Sequence, residues 1–158
     1  MKWLGAMMLV VAGAAAGVGK TVSIRRQIVL LEDLMALIRH IGTELRQRGA
    51  PLPEILEQHR SSRFPLIQWA DALREGQTVL QAVEPWLSGK ETDTGRTLSG
   101  LCAVLGRYDG ETQARACDHT VGLLAGQADH LRRQLAEKGR LYHTVPLTIG
   151  LMAALVLF

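Results

Sequence analysis

Apolar and charged residues are separated along this chain into two uncharged ends and a charged middle. No ionisable side chain occurs from Trp3 to Gly19, and the run from Thr144 to Phe158 is also uncharged. All fifteen acidic residues, and sixteen of the eighteen lysines and arginines, lie in the stretch from Thr21 to His143. A membrane-spanning helix needs about 20 apolar residues, with a lower limit of about 17. The pattern therefore predicts an amino-terminal transmembrane helix at residues 1–20, a polar domain at 21–143 and a hydrophobic or transmembrane segment at 144–158.

Apolar residues in the middle of the chain recur every three or four positions, which is the period of an amphipathic helix. The first stripe begins at Ile24 and predicts a long helix that stops at Gly49, just before two prolines. Glycine and proline divide the remainder into shorter helices, and these are predicted at 53–59, 66–74, 78–87, about 93–105 and about 110–141. No segment shows the period of two that strands require. The predicted fold class is all-α, a small bundle of about five or six helices flanked by the two apolar segments.

Three interpretations of the amino-terminal run remain open. As a transmembrane helix it places Gly5, Gly13 and Gly17 on one face, with the spacing that lets membrane helices approach closely. As a signal peptide it would be cleaved near Ala14–Ala16, which would make the protein an exported helical binding module; basic residues just beyond such a cut resist export. As a phosphate-binding loop ending in Gly19–Thr21 it lacks the parallel sheet that such a loop needs.

Basic residues flank both apolar runs on the side of the charged middle. Lys20, Arg25 and Arg26 follow the first run, and Arg132, Arg133, Lys138 and Arg140 precede the second. Positively charged flanks stay in the cytoplasm. The two flanks therefore predict a cytoplasmic main domain with both termini outside. For the carboxyl-terminal run, a buried core helix or a hairpin that only partly enters the bilayer remains an alternative.

The charge and the chemistry of the middle exclude several classes of function. The net charge is only +3 and both signs are mixed along the chain, so no basic surface for nucleic acid is expected. The two cysteines, Cys102 and Cys117, are expected to be free, buried thiols. His119 and His130 share a helix face but lie about 16 Å apart by helix rise, too far to hold one metal. We expect no catalytic, metal or cofactor site and no small-molecule substrate, so the chain is not predicted to be an enzyme.

Several short motifs follow one another in a characteristic order: Lys2-Trp3-Leu4-Gly5, Arg25-Arg26, Gly42-Thr43-Glu44-Leu45, Pro51-Leu52, Leu105-Gly106-x-x-Asp109-x-x-x-Gln113, Tyr142 and Gly150-Leu151. In their joint order and spacing the chain resembles the stage III sporulation protein AB family of endospore-forming bacteria, over essentially its whole length. The family is similar to the inner-membrane platform protein of type II secretion and type IV pilus machines, whose cytoplasmic domains are small helical bundles.

The resemblance implies a non-enzymatic membrane platform in an assembly that joins the mother cell and forespore membranes. Its implied partners are the membrane, a secretion-type ATPase, other components of the sporulation channel complex and further copies of the chain. The implied location is the mother cell membrane facing the forespore. The polar residues that match the family motifs are Glu44, Asp109 and Gln113, which are candidate partner contacts. Each also has a structural interpretation, as a solvated residue, a helix cap and a first-turn residue respectively.

Overall fold

The computed structural model describes residues 2–59, 63–88 and 93–157, and it describes side chains at 21–59, 63–88 and 93–137. Six helices and no strand occur in this part of the chain, which confirms the predicted all-α fold. The helices are α1 (Lys2–Gln47), α2 (Leu52–Gln58), α3 (Leu66–Arg74), α4 (Val79–Leu87), α5 (Asp93–Val104) and α6 (Gly110–Leu157). Helices α2 to α5 begin and end within one residue of the predicted positions, and glycine or proline lies near several of those ends.

The two long helices extend further than the predicted amphipathic segments. Helix α1 already begins at Lys2, and α6 continues to Leu157. Each apolar run is therefore helical and continuous with a helix of the charged middle. The amphipathic pattern could not reveal this continuity, because a run that is apolar on every side has no period to detect.

Two of the sequence predictions fall on side chains outside the described residues. These are the membrane spans at residues 1–20 and 144–158 and the helix-packing face of Gly5, Gly13 and Gly17. Where the side chains are described, no helix has a stretch both long and apolar enough to cross a bilayer. The spans and their glycine face stay predictions.

The chain divides into two compact units, and both dividing points fall inside the long helices. The terminal unit comprises Met1–Leu30 and Ala128–Phe158, and the central unit comprises Leu31–Gln127. The domain boundaries predicted from the sequence, at 20/21 and 143/144, lie in the same two helices but at other positions, and they stay predictions.

The core of the central unit is built around the stripe predicted on α1. That stripe is buried at Leu31, Leu34, Met35, Ile38, Ile41 and Leu45. The facing stripe on α6 is buried at Ala114, Cys117, Val121 and Leu124. An apolar cavity of about 60 Å³ remains among α1 to α5. Burial of these two stripes is the main source of cohesion, because apolar area removed from water stabilises by about 25 cal/mol per Å².

Aromatic rings and capping residues fix the short helices of the central unit. The rings of Phe64, Trp69 and Trp86 meet with centroids 5.6 to 6.3 Å apart, in stacked and edge-on pairs. Helix α4 begins with a reciprocal cap, in which Thr78 Oγ1 accepts a hydrogen bond from the Gln81 N–H (3.3 Å) and Gln81 Oε1 accepts one from the Thr78 N–H (3.0 Å). Such a box satisfies two backbone donors that a helix start leaves open.

Candidate partner-binding surface

Within the central unit, the carboxyl end of α1 lies directly on the first turns of α6. A Cβ atom added to Gly42 would stand 3.1 Å from Cys117 Cβ, and one added to Gly110 would stand 3.3 Å from the Leu45 carbonyl oxygen. Both glycines therefore sit where larger side chains would push the helices apart. This close crossing brings the Gly42-Thr43-Glu44-Leu45 motif and the motif that ends at Gln113 to one end of the central unit.

Arg46 connects the two helices at the rim of this crossing. Its Nη2 donates a hydrogen bond to Asp118 Oδ2 at 2.9 Å, and its Nε lies 3.6 Å from Glu111 Oε2. The hydrogen bond and charge of Asp118 raise the pKa of the Arg46 guanidinium. All three side chains are exposed, so these ion pairs contribute little to stability. They link the carboxyl end of α1 to the first turns of α6.

Asp109 is the amino-terminal cap of α6, as one interpretation of the sequence proposed. Its Oδ2 accepts a hydrogen bond from the Thr112 N–H at 3.0 Å, and its Oδ1 accepts one from the Thr112 hydroxyl at 2.7 Å. These hydrogen bonds lower the pKa of the Asp109 carboxyl, the hydroxyl contributing most. The carboxylate is exposed, but its acceptor positions already serve the helix start.

Gln113 is buried and closes the loop between α5 and α6. Its side chain is only 8% exposed. Its Oε1 accepts a hydrogen bond from the Gly106 N–H at 3.1 Å, and its Nε2 donates one to the Tyr108 carbonyl oxygen. Gly106 has a φ of +81°, which a residue with a side chain rarely adopts. Gln113 thus holds the loop from a buried position, and its role as a partner contact stays a prediction.

Glu44 lies at the same end of α1 but is mostly enclosed. Its side chain is 15% exposed, and its Oε2 is 3.5 Å from Arg48 Nε, one helical turn further on. The same oxygen is buried and accepts no hydrogen bond. The contact with Arg48 is therefore one of charge alone. Glu44 offers a partner one partly accessible carboxylate.

Tyr108 is the residue at this end that the sequence reasoning missed. It lies between α5 and α6 with 58% of its surface exposed. Arg107 on one side and Asp109 on the other are also exposed. We call these three residues the α5–α6 loop surface. An aromatic residue directly before a helix cap, in a chain with only 4% aromatic residues, was the signal available in the sequence.

Two cysteines and a close pair of histidines occur elsewhere in the described region. No group of three or more His, Cys, Asp or Glu side chains suited to a metal ion occurs there. Cys102 and Cys117 are free and buried, as predicted, and burial raises the pKa of each thiol to about 11. The rings of His40 and His59 lie 5.1 Å apart, and burial, together with the charge of His40, lowers the pKa of His59.

Comparisons with known proteins agree with the motif order. The family model for stage III sporulation protein AB matches residues 2–158. Searches of curated proteins and of solved structures returned no match to the chain. Because the matched region covers almost the whole sequence, the chain belongs to the stage III sporulation protein AB family.

Proposed function

We propose that this protein is a non-enzymatic membrane platform of a secretion-like complex between the mother cell and the forespore, and that it docks a secretion-type ATPase. The central unit faces the mother cell cytoplasm, and the apolar ends anchor it in the mother cell membrane. Further copies of the chain and other channel components complete the assembly. Membership of a stage III sporulation family supports the setting of this proposal.

The observation that carries the docking role is the α5–α6 loop surface. Gln113 binds both Gly106 and Tyr108, and Asp109 caps α6, so the loop is fixed by hydrogen bonds on each side of Tyr108. Tyrosine has only two side-chain torsions to order on binding, and it is enriched among residues that dominate interfaces. Asp109 and Gln113 thus support the surface, and Tyr108 is its main contact.

The organisation of the two ends supports the membrane anchor. Both apolar runs are helical and continue without interruption from helices that enter the central unit. Both belong to the same compact unit, so the two runs would enter the membrane together.

A photo-crosslinking experiment tests the docking role. The photoreactive amino acid p-benzoylphenylalanine replaces Tyr108 in the full chain, which is expressed in a sporulating host that lacks its own copy. The matched control carries the same amino acid at Ile67, which is 68% exposed on α3. We expect the ATPase to be crosslinked from position 108 and not from position 67. Equal crosslinking from both positions, or a crosslinked partner from position 108 that is not the ATPase, would contradict the proposed docking surface.

A further inference from the structure

The two compact units carry opposite net charges. The terminal unit contains eight lysines and arginines and two acidic residues, which gives a net charge of +6. The central unit contains ten basic and thirteen acidic residues, which gives −3. The modest overall charge of +3 is therefore the sum of two unlike parts. A unit with this much excess positive charge attracts an anionic surface.

The basic residues of the terminal unit whose side chains are described stand in water. Arg25, Arg26 and Arg133 are exposed, and none of the three has an ion-pair partner among the described residues. On α1 the two arginines share a face with Val22 and Val29, which are 41% and 37% exposed. Basic side chains that directly follow a membrane anchor on the cytoplasmic side are attracted to anionic lipid headgroups.

We propose that this basic face, formed by Arg25 and Arg26 with Val22 and Val29, binds the headgroups of anionic phospholipids, and that Arg133 of the same unit adds to the attraction. The inference rests on the membrane anchor of the proposed function and adds a lipid partner to it. Arg26 follows the last residue of the apolar run, Gly19, by seven positions, or about 10 Å of helix. A headgroup layer is about 5–8 Å thick, and charges act over a further distance of about 8 Å at physiological salt. Both arginines on α1 therefore lie within reach of lipid phosphates.

The expected size of the effect follows from the surface potential of anionic membranes. Each lysine or arginine near such a surface strengthens binding by roughly fivefold. Removal of two arginines should therefore weaken the preference for anionic lipid by about thirtyfold. The preference should also fall as salt rises, because the attraction is screened. The central unit, with its excess of acidic residues, provides no comparable attraction.

Native mass spectrometry of the detergent-solubilised full chain tests this proposal. The chain is titrated with phosphatidylglycerol or with phosphatidylcholine of identical acyl chains, and bound lipids are counted. The test variant carries Arg25→Gln and Arg26→Gln, and adding Arg133→Gln extends the series. The control variant carries Arg39→Gln and Arg96→Gln, two exposed arginines of the central unit. Glycerol 3-phosphate and a short DNA duplex serve as competing anions.

We expect the wild-type chain and the control variant to prefer phosphatidylglycerol, the test variant to lose about thirtyfold of that preference, and the third substitution to reduce it further. Equal binding of both lipids by the wild-type chain, or an equal loss in the control variant, would overturn the proposal. Displacement of the lipid by glycerol 3-phosphate would reassign the face to free phosphate, and displacement by DNA would reassign it to nucleic acid. Recovery of the full chain in the carbonate-soluble fraction would refute the membrane anchor itself, whereas a membrane-retained chain without lipid preference refutes only this inference.

Discussion

Replacement of Gln113 by alanine tests whether the hydrogen bonds of this side chain hold the α5–α6 loop in place. Gln113→Ala removes the acceptor for the Gly106 N–H and the donor to the Tyr108 carbonyl oxygen. Each lost hydrogen bond costs about 1 kcal/mol net. Loss of one buried methylene adds about 0.8 kcal/mol. Water can reach the freed loop groups, because Gly106 and Tyr108 are exposed, so we expect a total loss of about 2–3 kcal/mol.

Thermal unfolding of the detergent-purified full chain, followed by circular dichroism, measures this loss. For a chain of this size each kcal/mol shifts the unfolding midpoint by about 2–4 °C, so Gln113→Ala should lower it by roughly 4–12 °C. The matched control is Gln68→Ala, because Gln68 is exposed on α3 and its removal breaks no hydrogen bond found in the described region. A midpoint for Gln113→Ala equal to that of Gln68→Ala would refute the structural role of Gln113.

A second variant separates the two hydrogen bonds of Gln113. Gln113→Glu keeps an oxygen that can accept from the Gly106 N–H but loses the donor to the Tyr108 carbonyl. A carboxylate so close to that carbonyl is unfavourable. We expect its midpoint to fall as well, and crosslinking from position 108 to weaken. Crosslinking that persists at full strength in a destabilised Gln113→Glu protein would show that the loop is not fixed by this side chain.

Three further outcomes follow from the packing and titration of the central unit. His59 has a lowered pKa in the folded state, so its stabilising effect is complete above its unfolded pKa of about 6.5 and is lost as the pH falls through the folded pKa. The drop in unfolding midpoint between neutral and mildly acidic buffer should therefore shrink in His59→Phe. Cys102 and Cys117, with raised pKa values of about 11, should not react with a maleimide in the native protein at neutral pH. Gly42→Val should lower the free energy of unfolding by about 1–3 kcal/mol through overpacking against Cys117.

Each of these outcomes has a control within the same chain. His119→Phe replaces an exposed histidine outside the His40–His59 pair and is the control for His59→Phe. Both thiols should react fully in urea, so rapid native labelling would contradict their burial. A Cβ added to Gly122 meets no atom within 4 Å, so Gly122→Val should be tolerated. Equal destabilisation by the two valine substitutions would show that the Gly42 contact is not what limits side-chain size there.

The sequence predicted those parts of the fold that depend on local periodicity and on helix-ending residues. The buried stripe of α1 could be read from the spacing of residues such as Leu34, Ile38 and Ile41, and each is buried. The helix cap at Asp109 could be read from its position before the α6 pattern. Both depend only on residues within one or two helical turns.

What the sequence could not supply depends on contacts between residues distant in the chain or on the path of a loop. Gln113 owes its role to the positive φ of Gly106, which turns the loop back toward α6. Nothing in the local pattern around Gly42 shows that Cys117 faces it at close range. The exposure of Tyr108 follows from the same loop path, so the α5–α6 loop surface became visible only in the structure.

The most direct test of the membrane platform is the topology of the full chain in intact cells. The buried native cysteines allow a single cysteine to be added as a reporter, either by Ile67→Cys, at a strongly exposed position, or after Phe158. The chain is expressed in non-sporulating cells, so that it inserts into the plasma membrane, and an impermeant maleimide is applied to the intact cells. We predict that the cysteine at 67 is protected until the membrane is opened and that the tail cysteine is labelled at once. Immediate labelling at 67 would place the central unit outside the cytoplasm and contradict the platform.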